Sequence, residues 1–318
     1  MSADPTRIDI VSIGEAMIEF NQLRPDAPEY LQGFGGDTSN AIIAAARHGA
    51  RTAYVTRLGA DAFGELLMDL WAREGVATDA VIRDAQAPTA VYFVTHGPAG
   101  HAFSYRRAGS AASRIVPAEL PSALIRGTRF LHVSGISQAI SASACDTVAA
   151  AIALARAAGV KVAYDSNLRL QLWPLDRARA VIRETLALCD LLLPSLEDAE
   201  QFTGLSGRDA IVDWCLAAGA PVVVLKLGRD GALVATPQQR THVPGRSVDA
   251  VDATGAGDCF AGALLARLAA GDELEVAVHY ANAAAALTTT GFGAVAPIPH
   301  PAAVRALLAA SDQTVTKR

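Results

Sequence analysis

The segment Val251-Asp252-Ala253-Thr254-Gly255-Ala256-Gly257-Asp258 sets two carboxylates around residues too small to fill space, and an amphipathic helix pattern runs from Cys259 to Ala270. The N–H groups of Gly255, Ala256 and Gly257 would therefore lie at a helix N-terminus, unpaired and partly positive. Glycine lets a phosphoryl group approach the backbone closely, so the segment suits an anion. A carboxylate beside that anion is out of place unless it removes a proton. Amides that stabilise charge on phosphoryl oxygens and an Asp258 that deprotonates a hydroxyl are the parts that phosphoryl transfer to an alcohol needs. A Gly-rich turn followed by an Asp cap is the bland use of the same residues.

The formal net charge of −5 over 318 residues gives no electrostatic reason to expect nucleic acid or an anionic membrane as a partner. Residues 1–7 lack the apolar core of a signal peptide, and no uncharged apolar run reaches the roughly 18 residues of a membrane span. Cys145, Cys189, Cys215 and Cys259 show no C-x-x-C spacing, so neither a disulfide framework nor a zinc site is expected. These features together lead to the expectation of a cytoplasmic protein.

The elements that must position the segment follow from periodicity. Buried-strand patterns at 8–13, 130–133, 160–164, 191–193 and 222–225 alternate with helical patterns at 40–48, 63–74, 143–158, 177–188 and 211–218. This alternation predicts an α/β fold with a mostly parallel central sheet covered on both faces. Active sites of such sheets gather at the carboxyl ends of strands, where Gly14, Ser134, Asp165, Asn167, Pro194 and Lys226 fall. Two stretches, about 15–34 and 88–113, carry β patterns without helices and predict a small β lid over the sheet. A lid would keep water from a phosphoryl donor. One domain over 1–310 is expected, followed by a disordered tail at 311–318.

Gly35-Gly36-Asp37-Thr38-Ser39-Asn40 near the start and Asp252 to Asp258 near the end resemble the two glycine signatures of the ribokinase-like (pfkB) carbohydrate kinases, in the right order and over nearly the whole chain. The resemblance implies a Rossmann-like α/β/α sandwich with a β lid. It also implies ATP as phosphoryl donor, Asp258 as catalytic base, and Gly255, Ala256 and Gly257 as the anion hole. Asn167, Ser195, Lys226, Gly228 and Asn282 match positions that face the nucleotide. Asp252 and Thr254 match positions that in some members help bind a monovalent cation such as K⁺. The family's N-x-x-E stretch, which organises Mg²⁺ through water, is represented here by Ser195-Leu196-Glu197-Asp198. Asp198 keeps a carboxylate while Ser195 lacks the amide. Mg²⁺ is still expected, because nucleotide phosphates and water supply most of its ligands.

Charge also bears on the acceptor. Tyr105-Arg106-Arg107 lies in the expected lid and Arg169 follows the strand ending at Asp165, so two arginines could converge on one pocket. A guanidinium pair suits a carboxylate, which a neutral sugar does not carry. The stretches at 34–40, 105–113, 133–137 and 165–173 resemble those of 2-keto-3-deoxygluconate kinases. That resemblance implies that Gly36, Asn40, Tyr92, Tyr105, Arg107, Arg169 and Asp258 contact a sugar acid, phosphorylated at its C6 hydroxyl. A neutral-sugar kinase of the fructokinase or ribokinase type is the alternative, and a non-catalytic sensor of sugar acid or nucleotide is a third. The string Gly291-Phe292-Gly293-Ala294-Val295-Ala296 fits a dinucleotide fingerprint by letter, but Pro297 follows it where a helix is needed, so it is read as a loop. A homo-oligomer, dimeric or larger, is expected of a protein with a small β lid.

Overall fold

The computed structural model describes residues 7–25, 27–97 and 100–315. Its main sheet contains β1 (Ile10–Ile13), β4 (Thr52–Gly59), β5 (Val76–Ala77), β6 (Val81–Asp84), β9 (Phe130–Ser134), β10 (Lys161–Asp165), β11 (Leu191–Leu192), β12 (Val223–Lys226), β13 (Ala232–Ala235) and β14 (Arg240–Val243). The order is β14-β13-β12-β11-β10-β9-β1-β4-β5, with β6 also paired to β4. All pairings are parallel except β12 with β13 and β13 with β14. Successive residues of a strand face opposite sides, so Ile10 joins one apolar cluster and Val11 the other.

The first cluster lies under α1 (Asp37–Arg47), α2 (Ala62–Arg73), α9 (Ala256–Ala270) and α10 (Leu274–Thr288). The second lies under α3 (Ser122–Gly127), α5 (Ala142–Ala157), α6 (Leu175–Leu186), α7 (Leu196–Thr203) and α8 (Arg208–Ala217), with the short α4 (Gly135–Ala139) leading into α5. The result is a helix–sheet–helix sandwich. From β1 the chain goes to β4 on one side and later to β9 and β10 on the other, which opens a crevice at the carboxyl ends of these strands.

A second sheet stands apart from the first, in the order β3-β2-β7-β8, formed by β2 (Met17–Gln22), β3 (Tyr30–Gly35), β7 (Ala90–Gly97) and β8 (Gly100–Arg106). It occupies the two stretches read as a lid. Its inner face is small and apolar, built on Met17, Ala90, Tyr92 and Val94 with Tyr105 packed against them.

One strand goes unannounced by the sequence pattern, and one expectation is corrected. The central strand β4, Thr-Ala-Tyr-Val-Thr-Arg-Leu-Gly, escapes the apolar pattern because Thr52 and Thr56 are buried polar residues, Thr52 at 1% and Thr56 at 0% exposure. The tail expected at 311–318 begins within α11 (Pro301–Val315), since Ser311 to Val315 contain no Gly or Pro to stop a helix already under way. Residues 316–318 of that expected tail lie outside the described residues.

Helices α1 and α9 carry the residues of both glycine signatures, and they pack at a distance only glycine permits. A Cβ added at Gly262 would lie 2.0 Å from the Ala41 carbonyl oxygen and 2.7 Å from the Ala44 Cβ. This close approach brings Asn40 on one helix to Asp258 on the other.

Candidate active site

The crevice is a cleft of about 820 Å³ between the two sheets. Of the residues expected to act, Gly36, Asn40, Tyr92, Tyr105, Arg107, Asn167, Arg169, Ser195, Asp198, Lys226, Gly228, Thr254, Gly255, Gly257 and Asp258 all line it. Such convergence from both ends of the chain is what binding sites in open sheets require.

The floor is the start of α9. Gly255 caps the helix at φ 76°, a left-handed conformation, and no side chain bonds the first turn. A Cβ on Gly255 would also lie 2.8 Å from the Ala294 carbonyl oxygen, so glycine is needed on both counts. The Ala256 N–H is already given to the Ala253 oxygen at 3.2 Å, and Ala256 is absent from the cleft lining. Of the anion hole expected at 255–257, Gly255 and Gly257 line the cleft and Ala256 does not. The Lys226 ammonium stands beside Gly257, since a Cβ there would lie 3.5 Å from Lys226 Nζ.

Lys226 ends β12, where its N–H donates to the Pro194 oxygen at 2.8 Å, and its Nζ donates to Asp165 Oδ2 at 2.6 Å. Asp165 ends β10 and is 3% exposed. Its Oδ1 accepts from the N–H of Asn167, whose φ of 29° turns the chain back. Asn167 Nδ2 then donates to Asp37 Oδ2 at 3.1 Å, tying the β10 end to the start of α1.

Asp258 lies in the first turn of α9. Asn40 Nδ2 donates to its Oδ2 at 2.8 Å. Burial, together with the negative charges of Asp37 and Asp165, pushes its pKa up to about 7, against the opposing pull of Asn40 and Lys226. A carboxylate with that affinity can take a proton near neutral pH. Burial raises the pKa of Asp37 as well.

The lid supplies the opposite wall. Tyr92 and Tyr105 stack at 5.7 Å, and the Tyr92 hydroxyl donates to the buried Glu19 carboxylate. The Arg107 guanidinium lies over the Tyr105 ring and 2.5 Å from Glu15 Oε2. Its Nε is buried with no hydrogen-bond partner among the described residues, and the same holds for Asn40 Oδ1. Buried polar groups left unpaired are costly, so these two atoms mark where the cleft wall lacks internal partners.

The two arginines are not equivalent, contrary to the expected matched pair. Arg169 has a half-exposed side chain, donates through Nη1 to the Leu168 oxygen, and lies 4.0 Å from Asp198. Asn282 is 6% exposed, is not among the residues lining this cleft, and its Nδ2 donates to the Val243 and Pro244 oxygens. Its amide secures the exit from β14, a need that falls outside the nucleotide motif. Asp252 does not line the cleft either. Its Oδ1 accepts from Thr254 N and Oγ1, and its Oδ2 accepts from Gly293 N at 2.9 Å. That last bond ties the 291–296 loop to the start of this segment, where Ala294 packs against Gly255 and lines the cleft.

Mg²⁺ fits this cleft as a companion of phosphates. Ser195 caps α7 by accepting from Asp198 N, and Glu197 and Asp198 line the same wall. Among the described residues no group of three or more His, Cys, Asp or Glu could hold a metal unaided. Hard cations of this kind take one or two carboxylates plus phosphate and water. Residues missed by motif reading are Glu15 and Glu19, lone acids with no spacing signal, and the Asp165–Lys226 pair, whose members lie 61 positions apart.

Comparison with known proteins agrees with this geometry. The family model described as pfkB family carbohydrate kinase matches residues 7–301. Probable fructokinase-4 of Arabidopsis thaliana is 33% identical over 94% of this chain and 96% of its own, and fructokinase-1 of Oryza sativa subsp. japonica is 34% identical over 91% and 94%. The crystal structure of fructokinase from Vibrio cholerae O395 with fructose, ADP and calcium ion superposes with a TM-score of 0.86 at 31% identity, covering 95% of this chain and 99% of that one. The chain belongs to the pfkB family of carbohydrate kinases.

Proposed function

We propose that this sugar kinase transfers the γ-phosphoryl group of ATP to the C6 hydroxyl of 2-keto-3-deoxygluconate. The observation that carries the acid substrate is Arg107, whose guanidinium belongs to the wall of the cleft that holds Asp258. A sugar carboxylate or keto oxygen would accept from Arg107, and Asn40 lines the same cleft beside Asp258. Arg169, on another wall, adds a second positive charge.

In this reading Asp258 takes the proton of the C6 hydroxyl as that oxygen bonds to the γ-phosphorus and the bond to the β–γ bridging oxygen breaks. The N–H groups of Gly255 and Gly257, with Lys226, stabilise charge on the transferring group. Mg²⁺, held on the phosphates near Glu197 and Asp198, would neutralise further charge there. Because the base must be ionised, kcat/KM for the sugar falls about tenfold per pH unit below an apparent pKa near 7. A limb near pH 4 in a pH–rate profile would remove Asp258 from that role.

The relatives support a second reading. They are named fructokinases, and fructose carries no carboxylate. Both arginines also already have acidic neighbours, Glu15 and Asp198. ATP consumption with Mg²⁺ on 2-keto-3-deoxygluconate, 2-keto-3-deoxygalactonate, gluconate, fructose and ribose separates the two. Higher kcat/KM for the keto-deoxy acids supports the proposal. Higher kcat/KM for fructose or ribose overturns it and leaves a neutral-sugar kinase with the same phosphoryl chemistry.

A further inference from the structure

Glu15 lies in the link between β1 and β2, where the chain leaves the main sheet for the lid. It is 1% exposed yet contributes to the cleft lining. Its partners come from the return crossing. Arg107, immediately after β8, places Nη2 2.5 Å from Glu15 Oε2, and the Ser110 hydroxyl donates to Oε1 at 2.8 Å. A buried carboxylate is expensive, and burial raises its pKa even against the pull of Arg107 and Ser110. An acid at this position therefore needs a reason beyond holding the lid, which a neutral polar pair could do.

We infer that Glu15 is a positioning and specificity-determining residue: by sharing the Arg107 guanidinium it sets how strongly the cleft favours a carboxylate-bearing sugar over a neutral one. The inference rests on the reading that Arg107 faces the sugar. Its physical basis is that Arg107 has one charge and two sides. Glu15 holds one side, so the guanidinium is fixed in place and partly neutralised before substrate arrives. A substrate carboxylate on the other side gains the attraction of Arg107 but meets the repulsion of Glu15 at short range. A neutral sugar, accepting from the guanidinium through a hydroxyl or carbonyl oxygen, meets no such repulsion. Glu15 thus tempers acid binding, and removing its charge exposes the full cation.

The test uses the full-length chain with Glu15→Gln, Glu15→Asp and Ser110→Ala, comparing kcat/KM for 2-keto-3-deoxygluconate with that for fructose. Glu15→Gln is expected to move the acid-to-neutral ratio about tenfold or more toward the acid, and to enlarge the Tm rise produced by gluconate. Glu15→Asp, which keeps the charge, should restore a ratio near that of the wild type. Ser110→Ala should move the ratio a few-fold the other way, because Glu15 then leans wholly on Arg107; this variant carries the test where Glu15→Gln fails to fold. A purely structural strut would lower both substrates together, so a ratio and a gluconate response unchanged in Glu15→Gln, or in Ser110→Ala where that variant alone folds, overturn the inference. The wild-type ratio tests the substrate reading separately: a wild type that prefers fructose overturns that reading, while a shifted variant ratio still supports the role of Glu15.

Discussion

Replacing Asp258 with Asn is expected to lower kcat by roughly 10²- to 10⁴-fold and, at the same time, to raise the melting temperature at pH 8. The two effects share one cause. Asp258 is held where its charge is disfavoured, by desolvation first and by Asp37 and Asp165 next, and its pKa rises from 3.8 to about 7. Asn fits the same space and can still accept from Asn40 Nδ2 through its carbonyl oxygen, so geometry survives while the proton acceptor does not.

The pH dependence of the stability gain follows from the direction of that rise. Below about pH 4 Asp258 is protonated in both folded and unfolded chains and contributes no difference. As pH rises, the unfolded chain loses the proton first, so ionisation favours unfolding until pH passes about 7, above which the penalty is complete. A rise from 3.8 to about 7 corresponds to a penalty of at most about 4 kcal/mol. Thermal melts of the two proteins should therefore coincide near pH 4 and separate by several degrees at pH 8. A variant that loses activity but melts at the wild-type temperature at both pH values would show that Asp258 carries no such penalty. The arrangement is the expected trade of stability for a poised active site.

What motif reading recovers here is what lies close in sequence. The run from Gly255 to Asp258 forms the start of α9 from consecutive residues, and Gly36 to Asn40 opens α1 in the same way. Local spacing is therefore enough to place them. Strand-end residues such as Lys226 and Asp165 are visible singly, because the carboxyl ends of parallel strands share one edge of the sheet. Their pairing is invisible, since it depends on strand order, and β11 separates β10 from β12. Glu15 is harder still. It is one acid after one strand, and its meaning comes from Arg107, which reaches it only when the lid folds back. Asn282 shows the opposite case: a position chosen by its match to the family's nucleotide contact also secures the backbone after β14, which the match does not reveal. Ala256 fails because its N–H closes the turn with Ala253, a detail of hydrogen bonding that spacing does not reveal.

The pairing of Lys226 with Asp165 leads to the other large expected effect, which separates stability from chemistry. Lys226→Met removes the partner of a carboxylate that is 3% exposed, leaving an uncompensated buried charge at a cost of about 3–5 kcal/mol. The same substitution removes a positive charge from beside Gly257 and one of the influences that hold the Asp258 pKa down. Activity should fall at least tenfold, with KM for ATP raised and the acid limb of the pH–rate profile moved upward. Adding Asp165→Asn to Lys226→Met should restore most of the lost stability, because Asn keeps the Oδ1 acceptor for Asn167 N without the stranded charge. It should not restore activity, because the ammonium beside Gly257 is still missing. Denaturant unfolding and steady-state kinetics on the single and double variants decide the matter. If the double variant were as unstable as the single one, the cost of Lys226→Met would lie in lost packing of the lysine stem; if the double variant regained turnover, Lys226 would serve only to neutralise Asp165 and not the phosphoryl group.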